Sequence, residues 1–139
     1  MRLPDSLSAA PPGWFIDADV VVVGSGIAGL TTAIRATRAG RKVVVVTKAL
    51  VDAGSTRWAQ GGIAAALGQE DSPERHLQDT IVAGAGLCDP VAVRILVESG
   101  PAAVGRLIGW GAEFDRTPEG DIALTREGGH HTDRIAHAG

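Results

Sequence analysis

Four consecutive valines, Val20–Val23, run directly into Gly24-Ser25-Gly26-Ile27-Ala28-Gly29. So short a run of β-branched residues suits a strand buried on both faces of a parallel sheet. The glycines fall as G-x-G-x-x-G and open a helical pattern. Gly24 permits a tight turn, Gly26 lets backbone approach a pyrophosphate, and Gly29 lets helix and strand pack closely. The helix aims unpaired N–H groups and the positive end of its dipole at that phosphate. Glycines also mark ordinary tight turns. Here the motif follows a strand, opens a helix and precedes a second strand, which is the context a dinucleotide site requires.

The second strand is Val43-Val44-Val45-Val46-Thr47. Between the strands, Ile27, Leu30 and Ile34 make an apolar stripe expected to pack on the sheet. Gly40 stands where a helix ends, with Arg38 and Arg41 near the negative dipole end. Strand, helix and strand form one βαβ unit, expected to be a right-handed crossover. An Asp or Glu usually closes the second strand to hold the adenosine ribose; this chain has Thr47-Lys48, with Asp52 the nearest carboxylate. Thr47 has a hydroxyl for a ribose, and Lys48 has the reach for ribose or phosphate. A plainly solvated Lys48 is the competing reading.

The chain has 139 residues, 45% hydrophobic and 21% charged, which fits one folded domain rather than disorder. Its net charge of −3 offers no basic footprint for nucleic acid or a membrane surface. No apolar run is long enough to span a bilayer. Pro11, Pro12 and Gly13 interrupt the only apolar N-terminal stretch, which argues against a secretory signal. A single cysteine, Cys88, excludes an internal disulfide and fits a reducing compartment. A cytoplasmic protein is expected. Residues 1–15 read as a loose leader, with Trp14, Phe15 and Ile16 as anchors, and residues 16–139 as the folded part.

Gly54-Ser55-Thr56-Arg57-Trp58-Ala59-Gln60-Gly61-Gly62-Ile63-Ala64-Ala65 combines hydroxyls, an amide and glycines. That mixture suits a pyrophosphate and the polar edge of an isoalloxazine ring. A glycine-rich turn with no ligand has the same composition. Ser72-Pro73-Glu74 and Asp89-Pro90 are helix starts, each with a side-chain cap and a proline at the first helical position. Arg75 and Asp79 are expected to pair on a solvated face, and His76 to lie at the surface. In the next helix Val91, Ile95 and Leu96 are expected inward, with a break at Gly100-Pro101 and a third helix running on to Gly111. Cys88 reads as a buried thiol, Trp110 and Phe114 as core, and Glu119-Gly120-Asp121 as a turn between extended pieces.

The stretch from Thr125 to His137 is dense in charge, glycine and histidine. His130, His131 and His137 raise the question of a metal, but neighbouring histidines point different ways and no thiolate joins them, so no metal site is assigned. A solvated loop is the plain alternative.

With these pieces in order, the chain resembles the N-terminal part of the L-aspartate oxidase family, within the succinate dehydrogenase/fumarate reductase flavoprotein superfamily. The resemblance lies in Val22–Leu30, Thr47-Lys48, Gly54–Ala65, Ala83–Asp89 and Leu124–His130. It implies an α/β fold: a Rossmann-like FAD-binding βαβ unit of a doubly wound sheet, incomplete in this chain, followed by helices and a short β arm over about 112–139. It implies FAD binding through Gly24, Ser25, Gly26, Ile27, Ala28, Gly29, Thr47, Lys48, Ser55, Thr56, Arg57, Trp58, Ala59, Gln60, Gly61 and Gly62. Ser55 stands where respiratory members carry the histidine that bonds to the flavin, so noncovalent FAD is implied. Glu127 is implied to meet the ammonium of L-aspartate, and the arm departs from the family pattern at His131-Thr132-Asp133.

The activity implied is oxidation of L-aspartate to iminoaspartate with oxygen or fumarate as acceptor. It is the first step of NAD biosynthesis through quinolinate, with quinolinate synthase as an implied partner. No catalytic residue is expected within this chain, because the family's base and carboxylate-binding arginines and histidines lie downstream. As given, the chain is expected to be catalytically incomplete. The competing readings are a soluble fumarate reductase-like flavoprotein and a noncatalytic nucleotide-binding remnant.

Overall fold

The structure is a computed structural model that describes residues 10–58 and 62–138. The chain divides into two compact units, Met1–Ala59 and Gln60–Gly139.

In the first unit, β1 (Val20–Val23) pairs in parallel with β2 (Val43–Val46), Val20 opposite Val43 and Val23 opposite Val46. The connection is α1 (Ile27–Arg38). Gly24 adopts φ +105°, and its N–H donates to the Val46 carbonyl at 2.8 Å. Gly40 ends α1 at φ +75°: its N–H donates to the Thr37 carbonyl and the Arg41 N–H to that of Ala36. Those two bonds satisfy carbonyls the helix leaves open.

The valine runs are not buried on both faces. Val22 is buried while Val21 and Val23, on the opposite face, are exposed, because α1 covers one side of a two-stranded ribbon. The helix stripe is also rotated from the expected one. Ala33 is buried, whereas Ile27 and Ile34 are both exposed. Gly29 and Ala33, four residues apart on one face, let the helix approach the sheet closely, and the larger isoleucines fall outside that contact. Trp14, Phe15 and Ile16 are exposed rather than anchored; the first nine residues of the expected leader lie outside the described residues.

The second unit contains β3 (Ile63–Ala64), α2 (Pro73–Ala83), α3 (Pro90–Gly109), β4 (Leu124–Thr125) and β5 (Ile135–Ala136). The strands form an antiparallel sheet in the order β3-β5-β4, with β5 central and both of its residues buried. Ser72 caps α2 by accepting from the Arg75 N–H at 3.2 Å, and Asp89 caps α3 by accepting from Val91 and Ala92.

Two expectations about α3 fail. It continues through Pro101, and its buried face is Val93, Val97 and Val104, while Val91, Ile95 and Leu96 are exposed. Gly100 lies on the buried face, where a β-carbon would stand 3.6 Å from that of Ala65. Packing of Val97 and Val104 on either side of Pro101 holds the helix together across a residue that disfavours it. Trp110 and Phe114 are half-buried. The expected turn is present: Gly120 adopts φ +96°, and Arg116 bridges to Ile122.

Candidate functional site

In the first unit, Gly24–Gly26, Thr47–Leu50, Ala53, Gly54 and Thr56 line a cavity of about 400 Å³. It lies at the carboxyl ends of β1 and β2, where ligands bind in open α/β sheets. Gly26 caps α1 with extended backbone and no side chain, so no side chain of the cap residue itself competes with an anion at the helix N-terminus. The Ile27 N–H donates to Thr56 Oγ1 at 3.2 Å, which ties the loop after β2 to the glycine turn. Gly29 is held against Gly24, and Ala28 and Gly29 lie in the first turn of α1.

Thr47 donates its hydroxyl to the Ala49 carbonyl, and Lys48 is exposed at the cavity. Asp52 pairs with Arg57, whose guanidinium lies 5.3 Å over the Trp58 ring. The carboxylate nearest to the usual ribose position is thereby engaged by Arg57. Ser55–Trp58 form a single 3₁₀ turn. Ala59, Gln60 and Gly61 lie outside the described residues. In the second unit, a β-carbon on Gly62 would lie 2.4 Å from the Ala136 carbonyl oxygen, so β5 alone demands glycine there. Glycine turn, uncapped helix end and hydroxyl-bearing rim form a cradle whose donors fit a dinucleotide pyrophosphate.

The arm lies between β4 and β5 in the second unit. Glu127 is exposed, with Oε1 3.8 Å from His137 Nε2; that nitrogen is 2.7 Å from Thr125 Oγ1. Arg126 pairs with Asp133 at 3.3 Å. The three arm histidines take separate partners: His130 lies against Arg134, His131 against Asp79 and His137 against Thr125. Among the described residues no group of three or more His, Cys, Asp or Glu could hold a metal.

The sequence reading missed the cluster under the arm. Arg134 is fully buried and bonds Asp71 through two nitrogens and Asp79 through a third. Burial pushes the Asp79 carboxyl up, but the His131 backbone and side chain and the Arg134 guanidinium outweigh it and hold the group at about 2. Asp79 therefore does not pair with Arg75, which reaches the Glu70 carbonyl instead. His76 is buried, and its Nδ1 has no hydrogen-bond partner among the described residues; burial first, then Arg134 and His130, lowers its pKa. Arg134 directly precedes the Ile135-Ala136 strand but ends a polar stretch, His130-His131-Thr132-Asp133, so nothing in its sequence surroundings marked it as buried. Cys88 is half-buried, its Sγ 3.6 Å from the Thr80 carbonyl.

Residues 19–139 match a family described as an FAD binding domain. The chain is 70% identical over 133 residues to an L-aspartate oxidase of Streptomyces coelicolor, covering 96% of this chain and 23% of that one. It is 53% identical to an L-aspartate oxidase of Mycobacterium tuberculosis, covering 94% and 25%. Among solved structures, Mycobacterium smegmatis Sdh1 in complex with UQ1 aligns at TM-score 0.83 and 40% identity, over 88% of this chain and 21% of that one. E. coli quinol fumarate reductase aligns at 0.82 and 35%, over 86% and 21%. The chain spans about a quarter of the length of the curated relatives it matches.

Proposed function

The chain belongs to the FAD binding domain family, and on that premise we propose that it is the N-terminal FAD-binding portion of an L-aspartate oxidase. The observation that carries this reading is its identity to L-aspartate oxidases, 70% over nearly the whole chain, against 40% for the Sdh1 structure. The activity is oxidation of L-aspartate to iminoaspartate, opening NAD biosynthesis through quinolinate, in the cytoplasm and with quinolinate synthase as partner. FAD, when bound, supplies the hydride acceptor, and oxygen or fumarate takes the electrons.

The residues of this chain bind and orient. The open N-terminus of α1, with Ser25, Gly26, Ile27 and Ala28, holds the pyrophosphate. Thr47 and Lys48 meet the adenosine ribose. The stretch Ser55–Gly62 supplies donors to the cofactor, and within it Thr56 accepts from the Ile27 amide of the glycine turn. Ser55 has no imidazole, so the cofactor is held without a covalent bond. Glu127 pairs with the substrate ammonium, a group that succinate and fumarate lack. The second reading, a dicarboxylate oxidoreductase, draws on the 0.83 structural likeness to Sdh1; Ser55 and Glu127 weigh against it.

The test is peroxide formation by the FAD-loaded full-length protein. L-aspartate is expected to give peroxide under air. Oxidation of succinate with no turnover of L-aspartate would establish the second reading instead.

A further inference from the structure

Arg134 has no exposed surface, and acceptors surround its guanidinium. Nε and Nη2 donate to the two oxygens of Asp71 at 2.9 and 2.8 Å, and Nη1 donates to Asp79 Oδ2 at 2.8 Å. Nη1 also stands 3.3 Å from His130 Nδ1. A guanidinium has five donors, no acceptor, and keeps its proton in proteins. The His130 nitrogen facing it must therefore accept, which puts the ring proton on Nε2. One residue further, the arrangement is reversed. His131 Nδ1 lies 2.6 Å from Asp79 Oδ1, and the same carboxylate accepts the His131 backbone N–H. An ionised carboxylate only accepts, so His131 carries its proton on Nδ1.

His130 lines a cavity of about 320 Å³ with Asp79, Thr80, Cys88, Gly128 and Gly129. Its backbone N–H donates to the Glu127 carbonyl at 3.2 Å, so the ring and the proposed ammonium-binding residue belong to one turn. With Nδ1 accepting from Arg134, the donor left on the His130 ring is Nε2–H, and the Asp79 oxygens are already engaged by Arg134 and His131.

We propose that Arg134 is a positioning residue: it holds His130 in the Nε2–H tautomer, so that His130 donates a hydrogen bond to a carboxylate oxygen of the substrate in this cavity. The substrate half rests on the L-aspartate reading. The tautomer half rests on this structure alone.

Long-range proton–nitrogen correlation spectra of the FAD-loaded full-length protein, with labelled histidine, read the tautomer directly. His130 is expected as Nε2–H and His131 as Nδ1–H in the wild type. His130 found as Nδ1–H, or as a mixture, would overturn the proposal without any variant. Arg134→Lys loses the fork and is expected to leave His130 mixed; an unchanged Nε2–H ring there would remove Arg134 from the role.

Steady-state kinetics test the second half. His130→Leu is expected to raise KM for L-aspartate roughly tenfold with kcat changed less than about twofold. His130→Gln, whose amide can donate from near the Nε2 position, is expected to recover most of that loss. Failure of glutamine to rescue would overturn the substrate contact. Absence of aspartate oxidation alongside an Nε2–H ring would refute the functional reading and its substrate contact, and support the tautomer assignment.

Discussion

A β-carbon placed on Gly29 would lie 2.2 Å from the carbonyl oxygen of Gly24 and 3.3 Å from Val22 Cγ1. The third glycine of the motif is therefore a packing residue. It lets the first turn of α1 rest against the end of β1, next to the Gly24–Gly26 turn that lines the cavity.

Gly29→Ala is expected to destabilise the first unit by about 3 kcal/mol, since the neighbour is backbone and cannot rotate away. Gly40→Ala, where φ is +75° but nothing lies within 4 Å, is expected to cost about 1 kcal/mol. Chemical denaturation of the two variants measures the difference, and FAD titration should weaken for Gly29→Ala far more than for Gly40→Ala.

Acid is expected to unfold the second unit in two windows. The His76 pKa lies below 6.5 in the folded state, so stability falls as pH drops below 6.5 and the unfolded chain takes up the proton first. Asp79 is depressed from 3.8 to about 2, so its contribution is intact above 3.8 and lost as pH falls through about 2. Asp79→Asn should flatten the lower window and cost about 3 kcal/mol at neutral pH by leaving Arg134 with one carboxylate. Circular dichroism against pH, wild type beside variant, checks both.

Core truncation distinguishes the two faces of α3. In the 139-residue chain, Val97→Ala is expected to cost about 2 kcal/mol, and Val91→Ala less than about 0.5 kcal/mol. Equal losses in urea melts would mean that the face carrying Val91 is also packed.

Under the proposed function, acid precipitation of the FAD-loaded protein is expected to leave a colourless pellet and a yellow supernatant, because Ser55 offers no imidazole for a flavin bond. A yellow pellet would place a covalent attachment elsewhere in the protein.

Glu127→Gln in the full-length protein is expected to lower kcat/KM for L-aspartate roughly ten- to a hundredfold, with little effect on fumarate reduction. Loss of one charge-assisted bond to the ammonium corresponds to about 1.5–3 kcal/mol. Equal losses for both substrates would assign Glu127 to the folding of the arm.

The sequence by itself determined whatever depends on local chemistry. The glycine spacing and flanking valines specified β1, α1 and β2, because a tight turn, a close approach and a β-branched strand each impose their own residue types. Ser72-Pro73 and Asp89-Pro90 specified two helix starts in the same way. Only the tertiary structure decided which faces those helices bury. In α3 both apolar stripes are hydrophobic, and the choice of Val93, Val97 and Val104 depends on Gly100 meeting Ala65. It also decided the fate of the polar groups. Asp71, Asp79, His130 and Arg134 are up to 63 residues apart in the chain. Asp79 looked like half of a surface pair with Arg75 until the arm laid Arg134 across it. Hydrogen-bond partners brought together over such separations leave no periodic trace in a sequence, because each is chosen by where the backbone returns.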